Sequence, residues 1–145
     1  MAVDIEELYD KIYRYCYYRL RNRELAEDVT QETFLRWFAS DTYREKNQLL
    51  QYLYTVARHL CIDEYRSPVS QTLPEDTPDG EGDLSLSVAL RFELDKLPPE
   101  DRELLLLRYV NGESMAVLSK LCGQSRFALR RRLNGILKIL RNALE

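Results

Sequence analysis

Residues 114–134 read SMAVLSKLCGQSRFALRRRLN, and this stretch decides the fold of the second half of the chain. It has the layout of two short helices joined by a tight turn. Ser114 and Ser125 stand where helix caps are needed, because a serine oxygen accepts a backbone N–H that the first helical turn leaves unpaired. Gly123 lies between them, where the turn requires positive φ and a residue without Cβ adopts it freely. Ser119, four residues earlier, is small where the two helices must approach. Leu118, Leu121, Leu129 and Leu133 supply the apolar filling. At about 100° per residue, Leu129, Leu133, Ile136, Leu137 and Leu140 fall on one face of the second helix. The opposite face carries Phe127, Arg131, Asn134 and Lys138, with Ala128 and Arg130 beside them.

Charge sharpens this reading. From Lys120 to Arg141 there are seven basic residues and no acid. Such a block is an electrostatic footprint for phosphate. A helix with leucines inward and arginines plus an asparagine outward suits the major groove, where arginine makes two hydrogen bonds to guanine. The same pattern also describes a basic amphipathic helix that docks on protein.

Upstream, residues 86–97 form a helical pattern that ends at Pro98–Pro99. Pro99 fits the first turn of the next helix, which runs to Val110 and stops at Asn111–Gly112. Before these lies SPVSQTLPEDTPDGEGD (67–83), with Glu75, Asp76, Asp79, Glu81 and Asp83, no basic residue and no apolar periodicity. It reads as an acidic flexible linker. Net charge is −2 over residues 1–66, −5 over 67–87 and +4 over 88–145, within a total of −3.

The first sixty-six residues are helical as well. Ile5, Leu8, Ile12, Tyr13, Cys16 and Leu20 keep a period near 3.6. Asn22 can cap a second helix from Arg23 to Phe38. Residues 39–47 are polar and read as a loop, and a third helix runs from Gln48 to Tyr65. The fold class is all-α, with two small helical domains (1–66 and 88–145) joined by the linker 67–87. The second domain contains the helix-turn-helix.

In the helix 23–38, Ala26, Val29, Thr33, Phe34 and Trp37 form an apolar side. Asp28, Gln31, Glu32 and Leu35 form the other, a face that suits either solvent or a partner's basic helix. Tyr43, Tyr52, Tyr54 and Tyr65 interleave with Arg44, Lys46, Arg58, His59 and Arg66. That pattern serves base stacking with phosphate contact, and it serves equally as half-buried core tyrosine.

The hydrophobic fraction of 45% and charged fraction of 31% are those of a folded protein. No apolar run approaches the ~20 residues of a membrane span, and the N-terminus is acidic without a signal-peptide core, so a cytoplasmic location is expected. Cys16, Cys61 and Cys122 are an odd, widely spaced set and are expected as small buried helical residues rather than a disulfide framework. Cys61 and His59 would make half a zinc site that nothing completes, so no metal and no cofactor are expected. No nucleophile motif or glycine-rich loop accompanies the carboxylates, so an enzyme is not expected.

Three stretches together resemble the bacterial RNA polymerase sigma factors of the extracytoplasmic-function class. AEDVTQETFLRWF (26–38) is similar to the family's region 2.2. QYLYTVARHLCIDEYR (51–66) is similar to regions 2.3 to 2.4, with their W-L-Y-x-I-A-x-N-x-x-x-D-x-x-R pattern. LPPEDRELLLLRYVNGESMAVLSKLCGQSRFALRRRL (97–133) is similar to region 4. The resemblance covers nearly the whole chain except the linker. It implies a core-polymerase-binding surface at Asp28, Gln31, Glu32, Leu35 and Arg36. It implies contacts to the −10 promoter element from Tyr43, Arg44, Lys46, Asn47, Tyr52, Arg58 and His59. It implies contacts to the −35 element from Arg126, Phe127, Arg130, Arg131, Asn134 and Lys138. The partners implied are core RNA polymerase, promoter DNA and an anti-sigma protein, with no membrane insertion and no small-molecule substrate. The function implied is promoter recognition and assistance of −10 strand opening. A helix-turn-helix regulator acting without polymerase, or a helical protein-binding adaptor, are the alternatives from the residues alone. The chain departs from the family pattern at Tyr52 for tryptophan, His59 for asparagine, Gln124 for an apolar residue, Arg131 for a small polar one and a helical Gly135.

Overall fold

A computed structural model describes residues 4–40, 46–66 and 88–145, the first and last residues of the third helix by their backbone alone. The described residues form seven α-helices and no strand. Backbone contacts divide the chain into two units, Met1–Asp76 and Thr77–Glu145. The expected linker, 67–87, lies outside the described residues.

In the first unit, α1 spans Ile5–Leu20. Asp4 caps it, its carboxylate accepting from the Glu7 N–H at 3.3 Å, and Glu6 and Glu7 complement the helix dipole in the first turn. Arg21 ends it in a left-handed conformation (φ 55°), donating its N–H to Tyr17 O at 2.7 Å. That conformation costs a non-glycine residue about 1–2 kcal/mol. No glycine marks this helix end. α2 spans Arg23–Ser40, and the Asn22 amide oxygen caps it by accepting from Leu25 N–H at 3.0 Å. α3 spans Lys46–Arg66. The three pack pairwise around Leu8, Ile12 and Tyr15 of α1, Ala26, Val29 and Phe34 of α2, and Leu49, Leu53 and Ala57 of α3. Two buried threonines on α2 satisfy their hydroxyls within the helix: Thr30 donates to Ala26 O at 2.6 Å and Thr33 to Val29 O at 2.8 Å.

The expected polar loop 39–47 is corrected at its two ends, while residues 41–45 lie outside the described residues. Ala39 and Ser40 continue α2, whose end Ser40 closes by donating its hydroxyl to Trp37 O at 2.8 Å. Lys46 and Asn47 already belong to α3. Polarity is a poor guide at the end of α2, where Ala39 and Ser40 are exposed and the helix has no need of apolar residues.

In the second unit, α4 spans Val88–Asp95, ending two residues before the expected Leu97, while the expected start at Leu86 lies outside the described residues, and a turn carries the chain to buried Leu97. α5 spans Pro99–Leu105, with Pro99 in its first turn. It continues into a widened π-helical turn, Leu106–Val110, in which Asn111 N–H donates to Leu106 O at 2.9 Å. Gly112 (φ 72°) then turns the chain. α6 spans Met115–Cys122 and α7 spans Arg126–Leu144. α7 packs against α4, α5 and α6, and the core is built from Leu97, Leu104, Leu107, Val117, Leu118 and the inward face of α7. Removing a fully buried leucine from such a core costs about 2–5 kcal/mol, a large share of what a unit of this size holds.

Candidate functional site

The turn between α6 and α7 is the one read from sequence. Ser114 Oγ accepts from Val117 N–H at 3.2 Å, and Ser125 Oγ accepts from Ala128 N–H at 3.1 Å. Gly123 takes φ 70° and donates its N–H to Ser119 O at 2.9 Å. Ser119 does more than leave space. Its hydroxyl donates to Gln124 O at 2.5 Å, tying α6 to the start of the next turn. Gln124 itself is exposed, so its polar side chain costs nothing in the turn.

α7 separates its two faces. Leu129, Leu133, Ile136 and Leu140 are buried, and Leu137 is half-buried. Arg126, Phe127, Arg130, Arg131, Asn134 and Lys138 are all exposed. Phe127 is 66% exposed, a large apolar side chain held out from the helix. The Arg131 guanidinium lies over its ring, 5.1 Å from the centroid. Arg132 departs from this face. It grips Asp101 of α5 with Nη2 at 2.7 Å and Nε at 2.9 Å from the same carboxylate oxygen. One of the three consecutive arginines is therefore spent on orienting α7.

The second site residues lie in the other unit. Asp28, Gln31, Glu32, Leu35 and Arg36 are all exposed along α2. Arg36 Nε donates to Glu32 at 3.0 Å. Leu35 is 61% exposed and Phe38 54%. Phe38 was missed in the sequence; its ring lies tilted beside that of Trp37, centroids 4.9 Å apart, and extends the apolar part of this face. Tyr9 of α1 was missed too. Its ring lies 5.4 Å from that of Phe34, and it hydrogen-bonds with the side chain of Gln31, fixing one residue of the face from the neighbouring helix. Burial raises the Tyr9 phenol above its usual value, partly offset by that hydrogen bond. The available signal was that α2 carries exposed apolar residues opposite its core stripe, the mark of a helix buried on one side and used on another.

The residues expected at the −10 element are placed unevenly. Tyr43 and Arg44 lie outside the described residues, and Lys46 and Asn47 sit in the first turn of α3. Tyr52 is half-buried and His59 exposed. Arg58 is half-buried and donates from Nε to Tyr15 Oη at 3.4 Å. Tyr54 is core, 2% exposed and packed edge-on against Tyr15. Of the cysteines, Cys16 and Cys61 are buried as expected, but Cys122 is only half-buried because α6 ends there at the surface. His59 and Cys61 take opposite environments, exposed and buried. Among the described residues no cluster of three or more His, Cys, Asp or Glu side chains is placed to hold a metal ion, and no helix is long and apolar enough to cross a membrane.

Comparison with known proteins bears on the family of both units. The family model for Sigma-70 region 2 matches residues 5–68, and that for Sigma-70 region 4 matches residues 87–140. The chain is 31% identical over 136 residues to the ECF RNA polymerase sigma factor BldN of Streptomyces coelicolor, covering 83% of this chain and 51% of that protein. It is 30% identical over 141 residues to the RNA polymerase sigma factor YlaC of Bacillus subtilis, covering 83% of this chain and 80% of the relative. It thus spans about half the length of BldN and most of YlaC. Among solved structures, the sigma factor RpoE of Bartonella quintana, crystallised with the anti-sigma factor NepR, shares the fold. The TM-score is 0.68 at 19% identity, over 94% of this chain and 91% of that one.

Proposed function

The chain belongs to the extracytoplasmic-function class of RNA polymerase sigma factors, and from that premise we propose that it binds core RNA polymerase and directs it to specific promoters. The observation that carries this reading is the presence of two unlike exposed faces in one chain. α7 presents Arg126, Phe127, Arg130, Arg131, Asn134 and Lys138 in the geometry of a major-groove helix. α2 presents Asp28, Gln31, Glu32, Leu35 and Arg36. A regulator that works on duplex DNA alone needs only the first, and a protein adaptor only the second.

In this reading residues 88–145 take the −35 element and residues 1–66 take polymerase and the −10 element, with 67–87 as tether. Glu32 and Asp28 meet a basic partner surface, and Leu35 and Phe38 bury apolar area against it. Tyr43, Arg44, Lys46, Asn47, Tyr52, Arg58 and His59 attend the −10 strand, where capture of an unstacked base offsets an unstacking cost of a few kcal/mol. The work is binding and strand opening in the cytoplasm, with no covalent step and no cofactor. An anti-sigma protein that covers these faces would hold the factor silent.

The test is transcription by core polymerase on a pool of genomic fragments, with and without the protein, beside the variant Glu32→Lys. New start sites that vanish with Glu32→Lys are expected. A folded sample that fails to bind core polymerase would overturn the reading.

A further inference from the structure

Four basic side chains on the outward face of α7 are alike in charge but not in constraint. Arg126, Arg130 and Lys138 extend from the helix with no carboxylate partner among the described residues. Arg131 is different. Its guanidinium carbon lies over the Phe127 ring one helical turn earlier, 5.1 Å from the centroid. The ring attracts the guanidinium without consuming any of its five N–H donors, because the attraction is to the π face. The two residues fall within the first two turns after the Ser125 cap, the part of such a helix that reaches base edges. Phe127 itself is 66% exposed. An exposed phenylalanine beside an arginine that lies over its ring offers two chemically distinct probes on one helix face.

The major groove has one apolar landmark, the thymine 5-methyl group, and one base edge that accepts two parallel hydrogen bonds from arginine, guanine O6 and N7. We propose that Phe127 and Arg131 act as one reading unit for a thymine beside a guanine on the same strand of the −35 element, the ring packing on the methyl group and the guanidinium donating to the guanine. This rests on the promoter-reading assignment above. It assigns Arg126, Arg130 and Lys138 to phosphate contacts, which carry no sequence information, and leaves Arg132 outside the interface because Asp101 holds it.

The experiment uses the full chain with core polymerase and a promoter pool randomised over the −35 element, with bound sequences read out. Wild type is expected to enrich a thymine–guanine pair. Arg131→Ala should lose the guanine preference by roughly tenfold. Arg131→Lys keeps the charge but not the planar fork, so it should retain affinity and still lose most of that preference. Phe127→Ala should lose the thymine preference and weaken the guanine preference, but have no further effect on guanine once Arg131 is alanine. Both side chains are exposed, so the variants are expected to fold, which helical circular dichroism checks. A wild-type profile with a defined −35 element that none of these variants alters would overturn the proposal while leaving the promoter reading intact. Failure of wild-type holoenzyme to enrich any upstream element would instead overturn the promoter reading itself, and this proposal with it.

Discussion

α2 and α7 are nearly equal in length, at 18 and 19 residues, and each is buried along one stripe and exposed along another. They differ in how the exposed stripe is written. On α7 the back face of Leu129, Leu133, Ile136 and Leu140 is buried in the core, and the front is arginine, asparagine and lysine around an exposed Phe127, with Ile139 and Leu144 exposed only toward the C-terminal end. On α2 the core stripe of Ala26, Val29, Thr30, Thr33 and Phe34 contains two threonines, while the exposed stripe contains Leu35 and Phe38. A face meant for a polyanion must be basic, so it separates cleanly from the core. A face meant for a protein surface mixes charge with apolar area, so it blurs the boundary.

The largest test of this contrast sets a buried leucine against an exposed one. Leu129→Ala removes a side chain with no exposure and is expected to cost about 2–5 kcal/mol, unfolding the second unit near ambient temperature by thermal or urea denaturation. Leu35→Ala should change stability by no more than about 0.5 kcal/mol and instead weaken polymerase binding. If Leu35→Ala unfolded the first unit, the α2 stripe would be core rather than interface.

Salt dependence separates the two faces next. Arg130→Ala is expected to lower the slope of log affinity for promoter DNA against log salt by about 0.9, while Asp28→Asn leaves it unchanged. Asn-for-Asp at position 28 altering the slope would place α2 against DNA.

A smaller effect tests whether α7 is shaped for stability or for access. Gly135 lies mid-helix with no heavy atom within 4 Å of where a Cβ would sit. Gly135→Ala is expected to stabilise the second unit by about 0.8–1 kcal/mol, visible as a raised Tm. Lost −35 binding in that variant would show that the bare backbone at 135 is needed close to DNA.

The smallest concerns the aromatic support behind α2. Burial raises the phenols of Tyr9 and Tyr13 above the ordinary 10.0, against a lowering from the Gln31 hydrogen bond at Tyr9 and from Arg23 at Tyr13. Both bind their proton more tightly folded than unfolded, so their contribution is complete below pH 10 and is lost as pH rises through the raised values. Tyr9→Phe should flatten the alkaline fall in stability, measured by denaturant titration across that range.

The same contrast explains what was legible. The helix-turn-helix was readable residue by residue because Ser114, Gly123 and Ser125 each answer a local backbone need. Helix ends without such residues were not: Arg21 ends α1 in a conformation favoured by glycine, and α2 runs through Ala39 and Ser40 with no signal to stop earlier or later. The π turn at Leu106–Val110 was invisible because its sequence satisfies an ordinary helix equally well. In the site, exposure of Phe127, Arg130, Arg131, Asn134 and Lys138 followed from periodicity, since a helix fixes which side chains share a face, whereas Arg126 was implied only by the family resemblance and is exposed in the first turn. Tyr9 behind Gln31 did not, because the hydrogen bond joins α1 to α2 and no spacing within either helix encodes it. Tyr54 could be core or stacking platform by pattern, and only its packing on Tyr15 decides for core.

Arg131 and Arg132 are chemically identical neighbours with opposite duties, one turned outward over Phe127 and one inward on Asp101. What separates them is a rotation of about 100° around the helix axis. The helix therefore has a frame, and the Arg132–Asp101 clasp sets it. A residue inserted between Ser125 and Arg131 would shift every later side chain by that angle, turning Leu133 toward water and presenting Arg131 to Asp101, and a deletion would set Leu133 itself against that carboxylate. This segment can exchange one amino acid for another and retain its shape, but it cannot change its length by a single residue.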